Sequence, residues 1–300
     1  MNILSVILAA VAAPLFVGIV NQTKAFFGGR RGPGFLRMYF DIWKLLRKSR
    51  PRPLRSTWVF DIAQPASLAS TLAAAIVFPW TASPCGFAAG ASAAPFFYLL
   101  GAGRFFTVLG ALDAGNAFEG MGASREVQFS ALVEPIVFIV LGFLVLLTGE
   151  TSLAGMLDGA TIAAWKQNAV PIVLASFAFM VALLSENCRV PFDDPETHLE
   201  LTMIHEAMLL DVGGPDLAFA LYGAALKFEL MAAFLAMMVF PEFGGAWVRL
   251  LAVFLGVVLV SASVGVVESV MARMRFLRTP QTLMGAALVA ALAVFLSVFF

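Results

Sequence analysis

The sequence has little charge for its length. Only 13% of its 300 residues are Asp, Glu, Lys or Arg, about half of the roughly 25% found in soluble domains. Its mean hydropathy of +0.92 and its long apolar runs instead predict an all-α polytopic membrane protein. The formal net charge is zero, so bulk charge gives no indication of a nucleic-acid partner.

Cysteine is also scarce. The two thiols are Cys85 and Cys188, and no CxxC pair occurs. The chain therefore cannot hold an iron–sulfur cluster with four thiolates of its own, and we expect both cysteines to be small buried side chains. The phosphate-loop pattern GxxxxGK is missing as well, which leaves no indication of a nucleotide site.

Eight apolar runs approach the length of about 20 residues that a membrane-spanning helix needs. They are 2–20, 58–80, 95–112, 130–149, 169–186, 216–240, 247–270 and 282–300. The first run has no basic segment before it and exceeds the length of a cleavable signal core, so we predict a retained helix. No soluble domain or internal repeat is visible, which predicts one membrane domain over residues 1–300.

Basic residues indicate how the spans are oriented, because cytoplasmic loops are enriched in Lys and Arg. The loop 21–57 carries ten basic residues and one acid, Asp41. With eight alternating spans, the loops 113–129, 187–215 and 271–281 fall on the same side. Fifteen of the 19 basic residues then lie there. We therefore predict that these loops are cytoplasmic and that both termini lie outside.

The first cytoplasmic loop contains FLRMYFDIWKLLRKSR, which has helical periodicity. Leu36, Tyr39, Trp43 and Leu46 share one stripe of this helix, away from its charged residues. The pattern predicts an amphipathic helix on the cytoplasmic leaflet. Two interpretations remain open: a topology anchor attracted to anionic lipids, and a docking surface for a soluble partner.

Several ionisable residues lie within the spans or close to their cytoplasmic ends. They are Arg104, Glu134, Glu186, Lys227, Glu229 and Glu268. A charge at the bilayer centre costs roughly 2.5–3.5 kcal/mol, so these residues must pair or line a wet cavity. One interpretation is a set of static ion pairs that fix helix register. The spread over several helices favours the other, a polar path that carries or gates protons.

The stretch 186–211, ENCRVPFDDPETHLELTMIHEAMLLD, holds seven of the 19 acids and both histidines. Asp194 is a plausible N-cap with Pro195 in the first turn, which predicts a short amphipathic helix to about residue 210. Apolar residues alternate with the acids, which favours a part-buried helix at a protein interface over a solvated loop. The candidate relay residues here, besides Glu186, are Asp193, Asp194, Glu196, His198, Glu200 and His205.

A metal site is not predicted in this stretch. The sequence HEAML has the first His and the Glu of the zinc motif HExxH, but Leu209 stands where the second His belongs. His198 and His205 are two helical turns apart, which is too far for one metal without further ligands.

The same stretch resembles the H subunit (subunit 1) of respiratory complex I, NADH:quinone oxidoreductase. That family has a loop of the form E-N-R-x-P-F-D-x-P-E-x-E-x-E-L after its fifth core helix. The matching residues, with Cys188 inserted, are Glu186, Asn187, Arg189, Pro191, Phe192, Asp193, Pro195, Glu196, Glu200 and Leu201. Residues 30–33, RRGP, and the segment 41–44 resemble two further family motifs, and the eight-helix layout also agrees.

One departure from the family pattern distinguishes this sequence from the quinone-linked members. His198 replaces the middle Glu of the family's three, which puts quinone binding in doubt. The segments LTMIHEAMLLDVGGPDLAF and LGALDAGNAFEGMGASREV resemble the membrane subunit of membrane-bound NiFe hydrogenases of the formate hydrogenlyase type.

The resemblance implies a non-redox membrane subunit of an oxidoreductase complex in a bacterial or archaeal cytoplasmic membrane. Its implied partners are a small iron–sulfur subunit and a large hydrogenase-type subunit on the cytoplasmic side, with antiporter-like neighbours in the membrane. The chain itself would bind no cofactor, while glutamates relay protons. The predicted docking residues are Arg30, Arg31, Asp41, Lys44, Arg189, Arg273 and Arg275.

Three rival functions remain open at this point. A quinone-site subunit of a respiratory NADH dehydrogenase would have NADH-binding neighbours, whereas a hydrogenase would have a neighbour with two nickel-ligating CxxC pairs. A secondary transporter would work as a single chain, although no inverted repeat is visible. A passive anchor would use its buried charges only to fix helix register.

Overall fold

The computed structural model describes residues 2–53, 56–80, 92–158, 162–193, 203–240 and 245–299. Within these ranges the regular elements are helices, and eight of them are long and apolar enough to cross a membrane. Each of the eight corresponds to one apolar run of the sequence. The all-α polytopic fold predicted from hydropathy is therefore confirmed.

The regular elements of the described chain are ten α-helices and two short 3-10 turns. The helices are α1 (Asn2–Phe27), α2 (Arg37–Leu46), α3 (Trp58–Val77), α4 (Ala93–Ala114), α5 (Ala117–Thr148), α6 (Leu153–Asp158), α7 (Ile162–Glu186), α8 (Pro215–Val239), α9 (Ala246–Val270) and α10 (Thr279–Phe299), and the 3-10 turns are Glu206–Leu209 and Phe276–Arg278. All except α2 and α6 are candidate spans.

The connection predicted at 113–129 is far shorter in the structure. α4 ends at Gly115 in the left-handed conformation, and Asn116 caps α5 by accepting a hydrogen bond from the N–H of Phe118. Residues 117–129 are therefore helical, and the predicted loop boundary is wrong. The polar residues suggested a loop, but they include Glu119 and Glu126, which are buried in the helix.

The amphipathic helix predicted after the first span is present as α2, but its inward stripe differs. Of the four stripe residues, only Tyr39 is half-buried, whereas Leu36, Trp43 and Leu46 are exposed. The inward face is completed by other residues, namely Met38, Ile42 and Leu45. This face packs on α1 and α8, so helix neighbours decided which apolar side chains turn inward.

Close packing between helices relies on small residues. A Cβ added at Gly110 of α4 would lie 2.6 Å from the Cβ of Ala63 in α3. In the same way, Gly265 of α9 faces Thr23 of α1. Small residues let helix backbones approach within a membrane, where burial of apolar side chains from lipid gives little gain.

α7 ends deep inside the bundle. Its last residue, Glu186, contacts Arg104 and Lys227, which lie near the middle of α4 and α8. We call the side on which α4 ends and α8 begins the basic side. At 1.5 Å per residue, α4 and α8 continue beyond Glu186 toward this side for about 15 Å. The chain after Glu186 therefore begins at the bottom of a well walled by neighbouring helices.

The described residues of the segment after α7 occupy this well. Phe192, Met203 and Met208 are all buried, and the 3-10 turn Glu206–Leu209 packs against α4 and α5. The α-helix predicted over 195–210 is wrong in the part that can be judged, since residues 206–209 form only a 3-10 turn. A turn buried on several sides leaves no solvent face for a longer amphipathic helix. Residues 194–202 lie outside the described residues.

Candidate functional site

Four charged side chains on four helices form one ion cluster, which consists of Arg104, Glu134, Glu186 and Lys227. The Arg104 guanidinium donates from Nη1 to Glu186 Oε1 and from Nη2 to Glu134 Oε1, both at 2.5 Å. Lys227 Nζ donates to Glu186 Oε2 at 2.7 Å and to the backbone carbonyl of Glu186 at 2.8 Å. Two cations thus meet two carboxylates.

The ion cluster lies at membrane depth. Arg104 is about 17 Å along α4 from the helix end opposite the basic side, and Lys227 is about 18 Å along α8 from the helix end opposite the basic side. Both distances fall within a hydrocarbon core of about 30 Å. A lone charge there costs roughly 2.5–3.5 kcal/mol, and mutual pairing offsets this cost. The structure thus brings together four of the residues that the sequence placed in or near the spans.

A polar cavity of about 610 Å³, open mouth included, adjoins the ion cluster. Helix α3 contributes Gln64, Ser67 and Thr71, and α4 contributes Thr107. Their hydroxyls bond within the wall, for example Thr107 Oγ1 to Ser67 Oγ at 3.2 Å. The cavity has space for water molecules beside the charged side chains of the cluster.

A second cavity of about 510 Å³ lies on the other side of the ion cluster. All four cluster residues line it, together with apolar side chains that include Phe97, Phe138 and Met231. Arg104, Glu186 and Lys227 line both cavities. The cluster therefore lies where the two cavities adjoin.

Glu126 of α5 is a cavity residue that the sequence interpretation missed. It is 7% exposed and lines the polar cavity, and the thiol of Cys188 donates to its Oε2 at 3.6 Å. Glu119, seven residues earlier, is also buried and accepts a hydrogen bond from the N–H of Asp211. The sequence does contain a signal for these two glutamates, because residues seven apart lie on one face of a helix. The prediction of a loop over 113–129 concealed it.

The segment that roofs the polar cavity contributes Cys188 and His205. Burial, and then the charge of Lys227, lower the pKa of His205 to about 4, so the imidazole is neutral at pH 7. Burial also raises the pKa of the Cys188 thiol well above its usual range, and the charge of Glu126 adds to this. Cys188 is therefore a protonated hydrogen-bond donor, not a reactive thiolate.

A second group of charges, the rim network, holds the ends of the helices on the basic side. Glu268 at the end of α9 accepts from Arg189 Nη1 at 3.4 Å and pairs with Lys24 of α1 at 3.2 Å. Asp193 accepts from Arg273 at 2.9 Å and from the N–H groups of Ile204 and His205. Asp193 thereby ties the two described parts of the acid-rich stretch, 186–193 and 203–211, to each other and to the residues after α9.

Glu229 is not part of the ion cluster. It lies two residues after Lys227 on α8, about 200° around the helix, and it is 1% exposed. The Oε2 atom of Glu229 has no hydrogen-bond partner among the described residues. Burial and the charge of Glu229 raise the pKa of Tyr39, which places this carboxylate near α2. The sequence did not distinguish the two faces of α8.

The residues predicted to dock a partner occupy different environments. Arg30, Arg31, Asp41, Lys44 and Arg275 are exposed. Arg273 is half-buried beside Asp193. Arg189 is buried against Glu268 and the ring of Phe228, so it points into the chain and not toward a partner's surface. A docking role for the exposed residues stays a prediction.

Four of the predicted relay residues, Asp194, Glu196, His198 and Glu200, lie outside the described residues. Their roles remain predictions. In the described part of the chain, no group of three or more His, Cys, Asp or Glu side chains is arranged to hold a metal ion.

Eight apolar helices around a buried ion cluster define the chain as a multi-pass helical membrane protein. It belongs to the NADH dehydrogenase family, whose family model matches residues 1–299. The resemblance to this membrane component of complex I is thereby confirmed.

Two curated relatives cover most of the chain. Hydrogenase-4 component C of Escherichia coli (strain K12) is 34% identical over 272 residues, which cover 88% of this chain and 84% of that protein. Formate hydrogenlyase subunit 4 of the same organism is 31% identical over 278 residues, which cover 90% and 89%. The predicted likeness to hydrogenase-type relatives is therefore confirmed.

A solved structure has the same fold. A chain of the membrane-bound sulfane sulfur reductase, an archaeal respiratory membrane complex, superposes with a TM-score of 0.84 and covers 99% of this chain and 98% of its own length. The identity is 17%, so this likeness shows the fold alone.

Proposed function

We propose that this chain is the membrane-anchoring, proton-relay subunit of a complex I-related, membrane-bound hydrogenase of the formate hydrogenlyase type. In this proposal it docks the soluble electron-transfer arm and couples redox chemistry there to ion movement in the membrane. The chain is a non-redox subunit with no catalytic centre or cofactor of its own, which agrees with its two cysteines.

The position of Glu186 is the observation that carries the proposal. Glu186 opens the acid-rich segment that resembles the family pattern, and it is also the central carboxylate of the ion cluster. A polar cavity lies beside it, under the segment that would face the soluble arm. A shift of that segment, or a proton arriving there, therefore acts directly on a buried salt bridge at membrane depth.

The relay begins in the segment on the basic side and ends in the membrane. His205 and Glu126 border the polar cavity, followed by Glu186 and Arg104 at its floor. One hydrogen bond of 2.5 Å continues the route from Arg104 to Glu134, which borders the second cavity. We further propose that Glu196 and Glu200 extend this route toward the redox partner.

The soluble partners are a small iron–sulfur subunit and a large hydrogenase-type subunit on the basic side, and the membrane partners are antiporter-like subunits. The exposed basic residues Arg30, Arg31 and Arg275 and the outer face of α2 are available to the soluble arm. Charged side chains at such a surface promote association and set its register.

Purification in mild detergent followed by mass spectrometry tests the assembly. We expect an iron–sulfur subunit and a large subunit with two nickel-ligating CxxC pairs to co-purify. NADH-binding subunits without such a neighbour would instead indicate the quinone-site role. Recovery of the chain as a stable, fully active transporter without companions would refute the proposal.

Replacing Glu196 and Glu200 together with Gln tests the relay. We expect the complex to assemble and to lose proton translocation in membrane vesicles, because Gln keeps the side-chain size but cannot bind and release a proton. Glu150→Gln, at an exposed position after α5, is the matched control and should translocate protons normally. Undiminished translocation by the double variant would exclude these glutamates from the route.

A further inference from the structure

One member of the ion cluster is exposed on the outside of the helix bundle. The side chain of Glu134 is 55% exposed, whereas those of Arg104, Glu186 and Lys227 are 11% to 14% exposed. Glu134 lies about 21 Å along α5 from the helix end opposite the basic side, within the depth of the hydrocarbon core. Lipid tails cannot solvate a carboxylate, and Arg104 contacts it only from the inner side.

A second polar group lies beside this carboxylate. Pro135 has no N–H, so the carbonyl of Ala131, four residues earlier, lacks its helical donor. Ala131 and Pro135 are both exposed on the same side of α5 as Glu134. Two hydrogen-bond acceptors therefore face outward at membrane depth, and the bilayer has no donor for either of them.

The shape of this surface suits another helix. Ala131, Pro135 and Gly142 form a strip of small exposed residues along α5, and a Cβ added at Gly142 would meet nothing within 4 Å. The rings of Tyr98 of α4 and Phe138 of α5 stand beside the strip, with their centroids 6.1 Å apart. Small residues flanked by aromatic side chains allow close approach of a transmembrane helix.

Other outer surfaces of the bundle look different. The exposed side chains along α9 include Leu251, Leu255, Leu259 and Val266, which are large, branched and apolar, as expected next to lipid. We call the surface formed by Tyr98, Ala131, Glu134, Pro135, Phe138 and Gly142 the α4–α5 face. Its acceptors and small residues set it apart from the lipid-facing side of α9.

We propose that a membrane-spanning helix of a partner protein covers the α4–α5 face and presents a hydrogen-bond donor, such as a Lys, Arg or hydroxyl side chain, to Glu134 and the Ala131 carbonyl. This inference rests on the multi-subunit assembly proposed above and specifies where its membrane part attaches. A soluble protein cannot reach this depth. A second copy of the chain would bring two Glu134 carboxylates together, and their repulsion disfavours it.

The position of this contact gives it a role in coupling. Lys227, Glu186, Arg104 and Glu134 form an unbroken series of ion pairs from the polar cavity to the α4–α5 face. A donor on the partner helix therefore becomes the next member of the series.

Photo-crosslinking in the intact, purified complex tests the location. A benzoyl-phenylalanine replaces Tyr98, which is 66% exposed, or Leu259 of α9 as the matched control on a lipid-facing side. We expect the probe at residue 98 to crosslink to a membrane-spanning subunit of the complex and the probe at residue 259 not to do so. Crosslinks from residue 98 only to lipid, to a second copy of this chain or to a soluble subunit would each overturn the proposal.

Glu134→Leu gives a second test that does not depend on crosslinking. We expect the membrane partner to dissociate from the detergent-solubilised complex at least tenfold faster, while the thermal midpoint of the separated full-length chain stays the same or rises. A chain that is destabilised while partner retention is unchanged would show that Glu134 serves only internal pairing. If the redox subunits co-purify but either test fails, this inference fails and the proposed function stands.

Discussion

The ion cluster and the rim network are built from the same residue types but have different surroundings. In the cluster, Glu186 joins two cations next to cavities on both sides. In the rim network, Glu268 also joins two cations, Lys24 and Arg189, but its side chain is fully buried near the ends of α1 and α9. Neither of the two cavities borders Glu268.

This difference separates the two groups by what they can do. A proton can reach or leave a carboxylate only through water or another hydrogen-bonding group. Both cavities adjoin the cluster and neither borders Glu268, so we expect the cluster to change protonation more readily than the rim network. Buried charge alone therefore does not identify a relay; charge beside a cavity is the informative combination.

The largest expected effect is at the rim. Glu268→Gln removes the fully buried carboxylate that Arg189 and Lys24 share away from both cavities, and the loss of one partner of a buried ion pair costs about 3–5 kcal/mol. We expect the free energy of unfolding to fall by this amount, with little chain recovered in the membrane. Chemical denaturation in detergent micelles measures it.

Glu150→Gln is the control for this substitution, because an exposed residue outside such networks should change stability by less than about 0.5 kcal/mol. A Glu268→Gln chain as stable as this control would show that the rim network does not hold the fold.

The next effect compares the same substitution at the cluster. Glu186→Gln also leaves two cations without a carboxylate, but water in the adjoining cavity can solvate them. We expect a loss of stability of about 1–2 kcal/mol, less than at the rim, together with at least a tenfold loss of proton translocation in vesicles. If Glu186→Gln loses more stability than Glu268→Gln, water in the cavity does not solvate the two cations as expected.

A smaller effect concerns the segment between the two regions. The pKa of His205 is about 4 in the folded chain and about 6.5 when unfolded, so the unfolded state binds more protons between these values. Stability is therefore lost as the pH falls from about 6.5 to about 4, by about 1–2 kcal/mol for a half-buried ring. Thermal unfolding across this range measures the loss.

His205→Gln should flatten this pH dependence, because the amide does not titrate. The wild-type slope should exceed that of the variant throughout the window from pH 4 to 6.5. Parallel slopes would show that His205 is not held neutral by its burial under the polar cavity.

The sequence predicted the large features of the molecule well. Eight apolar runs specify eight spans, because the hydrocarbon core sets both the length and the hydropathy of a crossing helix. The high cost of charge in lipid also identified Arg104, Glu134, Glu186 and Lys227 as residues that need partners. The acid-rich segment led to the family through its pattern of Pro, Phe and acids.

Which residues come together could not be predicted from the sequence, for a physical reason. Glu186 and Glu268 both end a helix, and only the packing of other helices decides that one borders a cavity and the other does not. Lys227 and Glu229 are two residues apart and point to opposite sides of α8, but hydropathy cannot say which neighbour each side meets. Glu126 was hidden because its helix extends past the membrane.

The smallest expected effect on the free energy of unfolding comes from the loss of one hydrogen bond between two helices. Pro14 of α1 has no N–H, so the carbonyl of Ala10 lacks a helical donor. The hydroxyl of Tyr222 donates to it at 2.7 Å. Tyr222→Phe should cost about 1 kcal/mol, since it leaves a half-buried acceptor unpaired.

Pro14→Ala supplies the N–H that Ala10 lacks, so Tyr222→Phe should cost much less in that background. Unfolding free energies of the wild-type chain, both single variants and the double variant form a cycle with an expected coupling of about 0.5–1 kcal/mol. Additive effects would mean that Tyr222 does not replace the missing helical bond. The hydroxyl would then be solvated by water, as we expect for the charged side chains beside the polar cavity.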